Sequence, residues 1–167
     1  MVQGKNAKTT SLILTCLVIT LQCLDIPIES TGVYTGSPAY THFIYPFFHD
    51  GFIHVLLNCW CLLSVVFLYD TTMSMLFIAY ICTVSYPTYL FTSTIPTVGL
   101  SGFCYVLLGS ISFSVGQKYM YQVYMIISIG SGFLLPFFNP WLHLYSYVVG
   151  LLVGFLNKPI NDERRDR

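Results

Sequence analysis

The feature that most constrains this chain is its division into six apolar segments, roughly 10–28, 51–69, 72–91, 100–117, 120–138 and 141–157. Each approaches the ~20 residues that carry an α-helix across a hydrocarbon core. Pro27, Pro38 and Pro46 mark the first connection and Tyr69-Asp70-Thr71-Thr72 the second. Pro87 and Pro96 frame the third, Gln117-Lys118 the fourth and Asn139-Pro140 the fifth. Only 8% of the residues are charged, against about a quarter in a water-facing domain. The expectation is an all-α, polytopic membrane protein built as a bundle of six transmembrane helices.

Positive charge supplies an orientation. Lys5 and Lys8 precede the first segment, Lys118 lies between the fourth and fifth, and Lys158, Arg164, Arg165 and Arg167 follow the sixth. Six spans put every one of them on the same side, so both termini are expected in the cytoplasm. The division is then a cytoplasmic tail 1–9, a membrane domain 10–157 and a charged cytoplasmic tail 158–167. Lys5 and Lys8 ahead of Ser11–Leu24 mimic a signal peptide, but no small-x-small cleavage site follows. The first span is expected to remain uncleaved.

Composition also excludes. Net charge is zero and no basic patch interleaves with aromatics, which leaves nucleic-acid binding without support. Cys16, Cys23, Cys59, Cys61, Cys82 and Cys104 fall within or beside apolar stretches, where they read as small apolar fillers, not disulfide partners. No metal or other cofactor is expected.

Against this apolar background a few polar residues stand out. In the six-span arrangement, segments two, four and six enter from the outer side. His54 and Asn58 lie in the first turns of segment two, Ser101 in that of four and His143 in that of six. A rise of ~1.5 Å per residue keeps all four at similar depth. Ser101 needs a base, and His143 is the only histidine on segments four to six. The backbone N–H of Ser101, at a helix N-terminus, favours an anion. His54 and Asn58 are four apart, so they share a helix face, and both donate hydrogen bonds. Donors of this kind stabilise the negative charge that develops on a carbonyl under attack. No Asp or Glu is placed to orient His143, so the expectation is a dyad.

Small-residue stripes link two of these helices. Segment four carries Ser101, Tyr105, Gly109, Ser112 and Gly116, and segment six carries His143, Ser146, Gly150 and Gly154. Such stripes let helix backbones approach closely, which would bring Ser101 to His143.

These residues resemble the rhomboid family of intramembrane serine proteases. The match consists of Phe48-His49 with His54-x-x-x-Asn58, then Gly99-x-Ser101-Gly102 with Tyr105 and Gly109, then His143-x-x-Ser146-x-x-x-Gly150. It spans about residues 46–154 and keeps the family's motif order. The resemblance implies Ser101 as nucleophile, His143 as general base, and an oxyanion hole of His54, Asn58 and the Ser101 amide. Tyr105 would pack on the His143 ring, with Gly99, Gly102, Gly109, Ser146, Gly150 and His49 in support. Ser146 stands where the family usually has Gly, and Leu142 where Ala commonly precedes the histidine. The first loop, about 26–46, lacks the Trp-Arg pair common there.

The function expected is an intramembrane serine endopeptidase that cleaves transmembrane-helix substrates near the outer membrane face through an acyl-enzyme. Its partners would be single-pass or polytopic membrane proteins and the lipid bilayer, and its location a cell membrane, the bacterial inner membrane by compactness and charge bias. The alternative is an inactive rhomboid-like protein that binds membrane clients, although such proteins typically lose Ser or His. His49, near the start of segment two, is expected to order the first loop, and His42 to be exposed in it.

Overall fold

The computed structural model describes residues 2–24, 26–90, 94–135 and 138–157. Among these residues there are eight α-helices: α1 (Val2–Gln22), α2 (Ile28–Thr31), α3 (Thr41–Ile44), α4 (Phe52–Leu68), α5 (Met73–Val84), α6 (Ser101–Ile111), α7 (Lys118–Gly132) and α8 (Pro140–Leu156). A 3₁₀ turn, Tyr45–Phe47, follows α3. The expected C-terminal tail, 158–167, lies outside the described residues.

The all-α class is observed, but the six-span bundle is not. Among the described residues, no single helix is long and apolar enough to cross a membrane. One pair, Thr41–Phe47 with Phe52–Leu68, passes that test together, and it is bent by 88°. The cause is backbone punctuation inside apolar runs. The run 72–91 is helical only to Val84, two residues short of the Tyr86 that precedes Pro87, because a residue before proline is pushed out of the helical region. The run 100–117 stops at Ile111, and Ser112 closes back on the Gly109 carbonyl in a tighter turn. At ~1.5 Å per residue, helices of 12 and 11 residues reach roughly 18 Å and 16 Å, well under a ~30 Å hydrocarbon core. α1 has 21 residues but carries Lys5 and Lys8 within them. The orientation with both termini in the cytoplasm rests on six spans, and it falls with them. Lys8 instead pairs with Asp70 at 2.7 Å.

α6 is the centre of the packing. It supplies Phe103, Cys104, Val106, Leu107 and Ile111 to a cluster completed by Leu62, Val65 and Val66 of α4 and by Leu76 and Ala79 of α5. Its most extensive contact is with α8, and glycine makes that contact possible. A Cβ on Gly109 would sit 2.8 Å from the Gly150 Cα, and one on Gly154 would sit 2.9 Å from the Ser110 carbonyl carbon. Gly116, the last member of the expected stripe, faces open space. The stripe therefore works only as far as α6 continues as a helix.

A second, smaller cluster of Val33, Tyr45, Tyr86 and Leu142 sits beneath the loops at one end. There Val33 and Thr97 exchange two backbone hydrogen bonds of 2.9 Å, and the Gly99 N–H donates to the Tyr45 carbonyl at 3.0 Å. Tyr45 is itself fixed by its hydroxyl, which donates to the Thr83 carbonyl at 2.8 Å. The segment that leads into α6 is thus pinned at two points just ahead of Ser101.

Candidate active site

Ser101 opens α6 and His143 lies in the first turn of α8. The close α6–α8 contact brings their side chains together, with His143 Nε2 3.0 Å from Ser101 Oγ. A neutral imidazole whose Nε2 is free of a proton accepts from a hydroxyl at this distance. The neutral form is favoured strongly: burial first, then the neighbouring His54, push the His143 pKa from 6.5 down to about 4. At pH 7 the histidine is therefore neutral, and its Nε2 can accept a hydrogen bond from the Ser101 hydroxyl.

Tyr105, one turn after Ser101, stacks on the His143 ring with centroids 4.4 Å apart and planes 19° from parallel. Its hydroxyl is held by Ser128 Oγ of α7 at 2.7 Å. Phe138 meets the same imidazole edgewise at 6.2 Å. The two rings pack the imidazole on one face and against one edge.

His54 and Asn58 face the same site from α4. A Cβ on Gly99 would lie 2.7 Å from His54 Cε1 and 3.4 Å from Asn58 Nδ2, so the backbone before Ser101 runs directly against both side chains. Gly99 has φ +119°, a conformation strained for any residue with a Cβ. Glycine is required here twice, for the dihedral and for the space. Asn58 Nδ2 is buried and has no hydrogen-bond partner, a costly state for a donor unless a ligand or transient charge fills it. Burial lowers the His54 pKa as well, partly opposed by Asp50.

His49 is better integrated than its expected role in the first loop. Its Nε2 accepts the Leu100 N–H at 3.2 Å, so it holds the residue next to Ser101. Its ring edge meets His54 at a centroid distance of 5.1 Å. Burial first, then His54, push the His49 pKa down to about 3, which keeps Nε2 an acceptor. His42 is half-buried, with Nδ1 3.3 Å from the Val84 carbonyl. Gly102 lies against Ser146, whose Oγ would be 3.3 Å from an added Cβ. Gly109 and Gly150 meet in the helix contact below.

Ser101, His143, His54, Asn58, Tyr105 and Ser128 all line one cavity of about 900 Å³. The rest of its wall is largely apolar, with Ile53 and Leu57 of α4 and Leu135 beyond α7. No group of His, Cys, Asp and Glu able to hold a metal ion exists among the described residues. Two features escaped sequence reasoning: the left-handed Gly99 and the bond from Leu100 to His49. Both depend on pairings across more than forty residues, for which the sequence carries no local signal.

No protein-family model matches the chain, and no curated protein matches it.

Proposed function

We propose that this protein is a serine endopeptidase of the rhomboid kind, acting on apolar segments of membrane proteins through an acyl-enzyme on Ser101. The observation that carries the reading is the 3.0 Å contact between His143 Nε2 and Ser101 Oγ. It opens onto a cavity in which the Asn58 amide has no partner of its own.

In this mechanism His143 takes the hydroxyl proton as Ser101 Oγ attacks the scissile carbonyl carbon. The Asn58 amide, the His54 ring and the Ser101 N–H receive the charge that develops on the carbonyl oxygen. His143 then returns the proton to the leaving amine; a water molecule, deprotonated in turn by His143, attacks the acyl carbon, and His143 gives that proton to Ser101 Oγ as the ester bond breaks. Every proton is accounted for by one base, so no carboxylate is needed.

The apolar exterior supports a membrane setting. Ile53, Trp60, Leu134 and Leu156 are 77%, 71%, 83% and 80% exposed, and exposed apolar surface on this scale marks lipid or protein contact. A bilayer against these side chains would place apolar substrate segments beside the cavity.

Labelling with a fluorophosphonate, which reacts with activated serines, tests the chemistry. Wild type should label, and Ser101→Ala and His143→Ala should not. Labelling of all three alike, or none of folded wild type, sinks the dyad. Cleavage of a model transmembrane substrate by the same variants separates a peptidase from a protein that only binds clients.

A further inference from the structure

We propose that Asn139 is a positioning residue that sets the distance between Ser101 and His143 by tying the segments that deliver them, a role that rests on the serine-peptidase reading above. Asn139 precedes His143 by four residues, and Thr97 precedes Ser101 by four. Asn139 Nδ2 donates to Thr97 Oγ1 at 3.0 Å. Its Oδ1 accepts the Leu142 N–H at 3.0 Å and the Tyr86 hydroxyl at 3.4 Å. Its backbone carbonyl accepts the His143 N–H at 3.3 Å. Because Leu142 N–H can only donate, the amide orientation is fixed: oxygen toward α8, nitrogen toward Thr97.

One side chain thus caps the helix that carries the base and holds the strand-like segment that carries the nucleophile. Thr97 is a rigid anchor, since its backbone is locked to Val33 by two 2.9 Å hydrogen bonds. Serine or aspartate would cap α8 nearly as well. Serine is too short to reach Thr97, so capping alone does not account for an amide at this position. The glycine contact below brings α6 and α8 close, and the Asn139–Thr97 bond fixes how their first turns are set against each other.

Two substitutions cut the tie while sparing the cap. Thr97→Val removes the acceptor at nearly constant shape, and Asn139→Ser keeps a capping oxygen but cannot span the gap. Each should slow fluorophosphonate labelling of Ser101 about tenfold, with melting temperature held within a few degrees. The double variant should be no slower than the slower single one, because both break one link. Asn139→Asp should recover most of the rate, since the Thr97 hydroxyl then donates to the carboxylate, and should lose it again in combination with Thr97→Val. Wild-type labelling rates in both single variants overturn the proposal. So does a rate loss matched by a large drop in melting temperature, which would make the bond a support of the fold alone. A wild type that does not label at all overturns the serine-peptidase reading itself.

Discussion

Replacing Gly150 with alanine tests whether the site is held by helix contact. A Cβ there would lie 2.9 Å from the Val106 carbonyl carbon and 3.0 Å from the Gly109 Cα, and it would press on the Val106 carbonyl oxygen. All three are backbone atoms, so no rotamer change relieves the overlap. Ordinary contact begins near 3.4 Å, so α6 and α8 must part by at least about half an ångström, and by more at the Val106 carbonyl oxygen. A gap of that size forfeits roughly a quarter of the dispersion energy at each facing atom pair. Overpacking of this kind costs about 1–3 kcal/mol, offset by up to ~1 kcal/mol from alanine's better helix propensity. A net loss near 2 kcal/mol lowers the melting temperature by roughly 4–8 °C in a domain of this size.

The same parting acts on the site. Gly150 lies seven residues after His143, about 10 Å along the axis, and Gly154 about 16 Å. Half an ångström added to the 3.0 Å contact between His143 and Ser101 reaches the limit of a useful hydrogen bond. Misplacement by an ångström costs on the order of 100-fold in rate, so labelling of Ser101 should slow about 10- to 100-fold. Gly154→Ala, whose Cβ would meet Ser110 backbone, should lose similar stability with a smaller rate effect. Gly130→Ala in α7, with nothing within 4 Å, should be neutral or slightly stabilising. Thermal unfolding and labelling kinetics on the four proteins decide the matter. Gly150→Ala at wild-type stability, or destabilised yet labelling within twofold of wild type at low temperature, refutes the coupling of helix contact to catalysis.

Other expectations follow from the site. Asn58→Ala should cost about 10²–10³ in labelling or cleavage rate at nearly unchanged melting temperature, because the lost donor serves a charge present only in the transition state; loss of stability without loss of rate would contradict this. Gly99→Ala should abolish labelling, since it adds strain at φ +119° and drives a Cβ into His54; a folded, fully active variant would refute the assignment. The acid limb of the rate against pH should fall well below 6.5, toward the His143 value of about 4, as protonation removes the base; a limb near 6.5 would mean a solvated histidine. Stability should decline over the same acid range. Between 6.5 and about 4 the unfolded chain binds protons that folded His143 and His49 refuse, and a melting temperature flat from pH 7 to 4 would oppose that.

The sequence alone determined a good deal here. Hydropathy located a helix overlapping each of the six apolar segments, since apolar runs exclude water whatever their backbone does, but α1 begins at Val2, inside the stretch 1–9 expected as a tail. The four-residue spacing of His54 and Asn58 put both on one face of α4, and the glycines of segments four and six marked a close contact. Local spacing fixes such features because a helix's own period fixes them. The number of spans was another matter, because hydropathy counts apolar residues without asking where the backbone leaves the helix. Pro87 and the turn at Ser112 shorten α5 and α6 below any crossing length, and only the folded backbone shows where each helix stops. Tertiary structure alone decided that Gly99 is left-handed against His54, that His49 holds Leu100, and that Asn139 reaches Thr97. Each is a contact between residues more than forty apart in sequence, created only when loops and helix ends are packed together, and no local pattern encodes it.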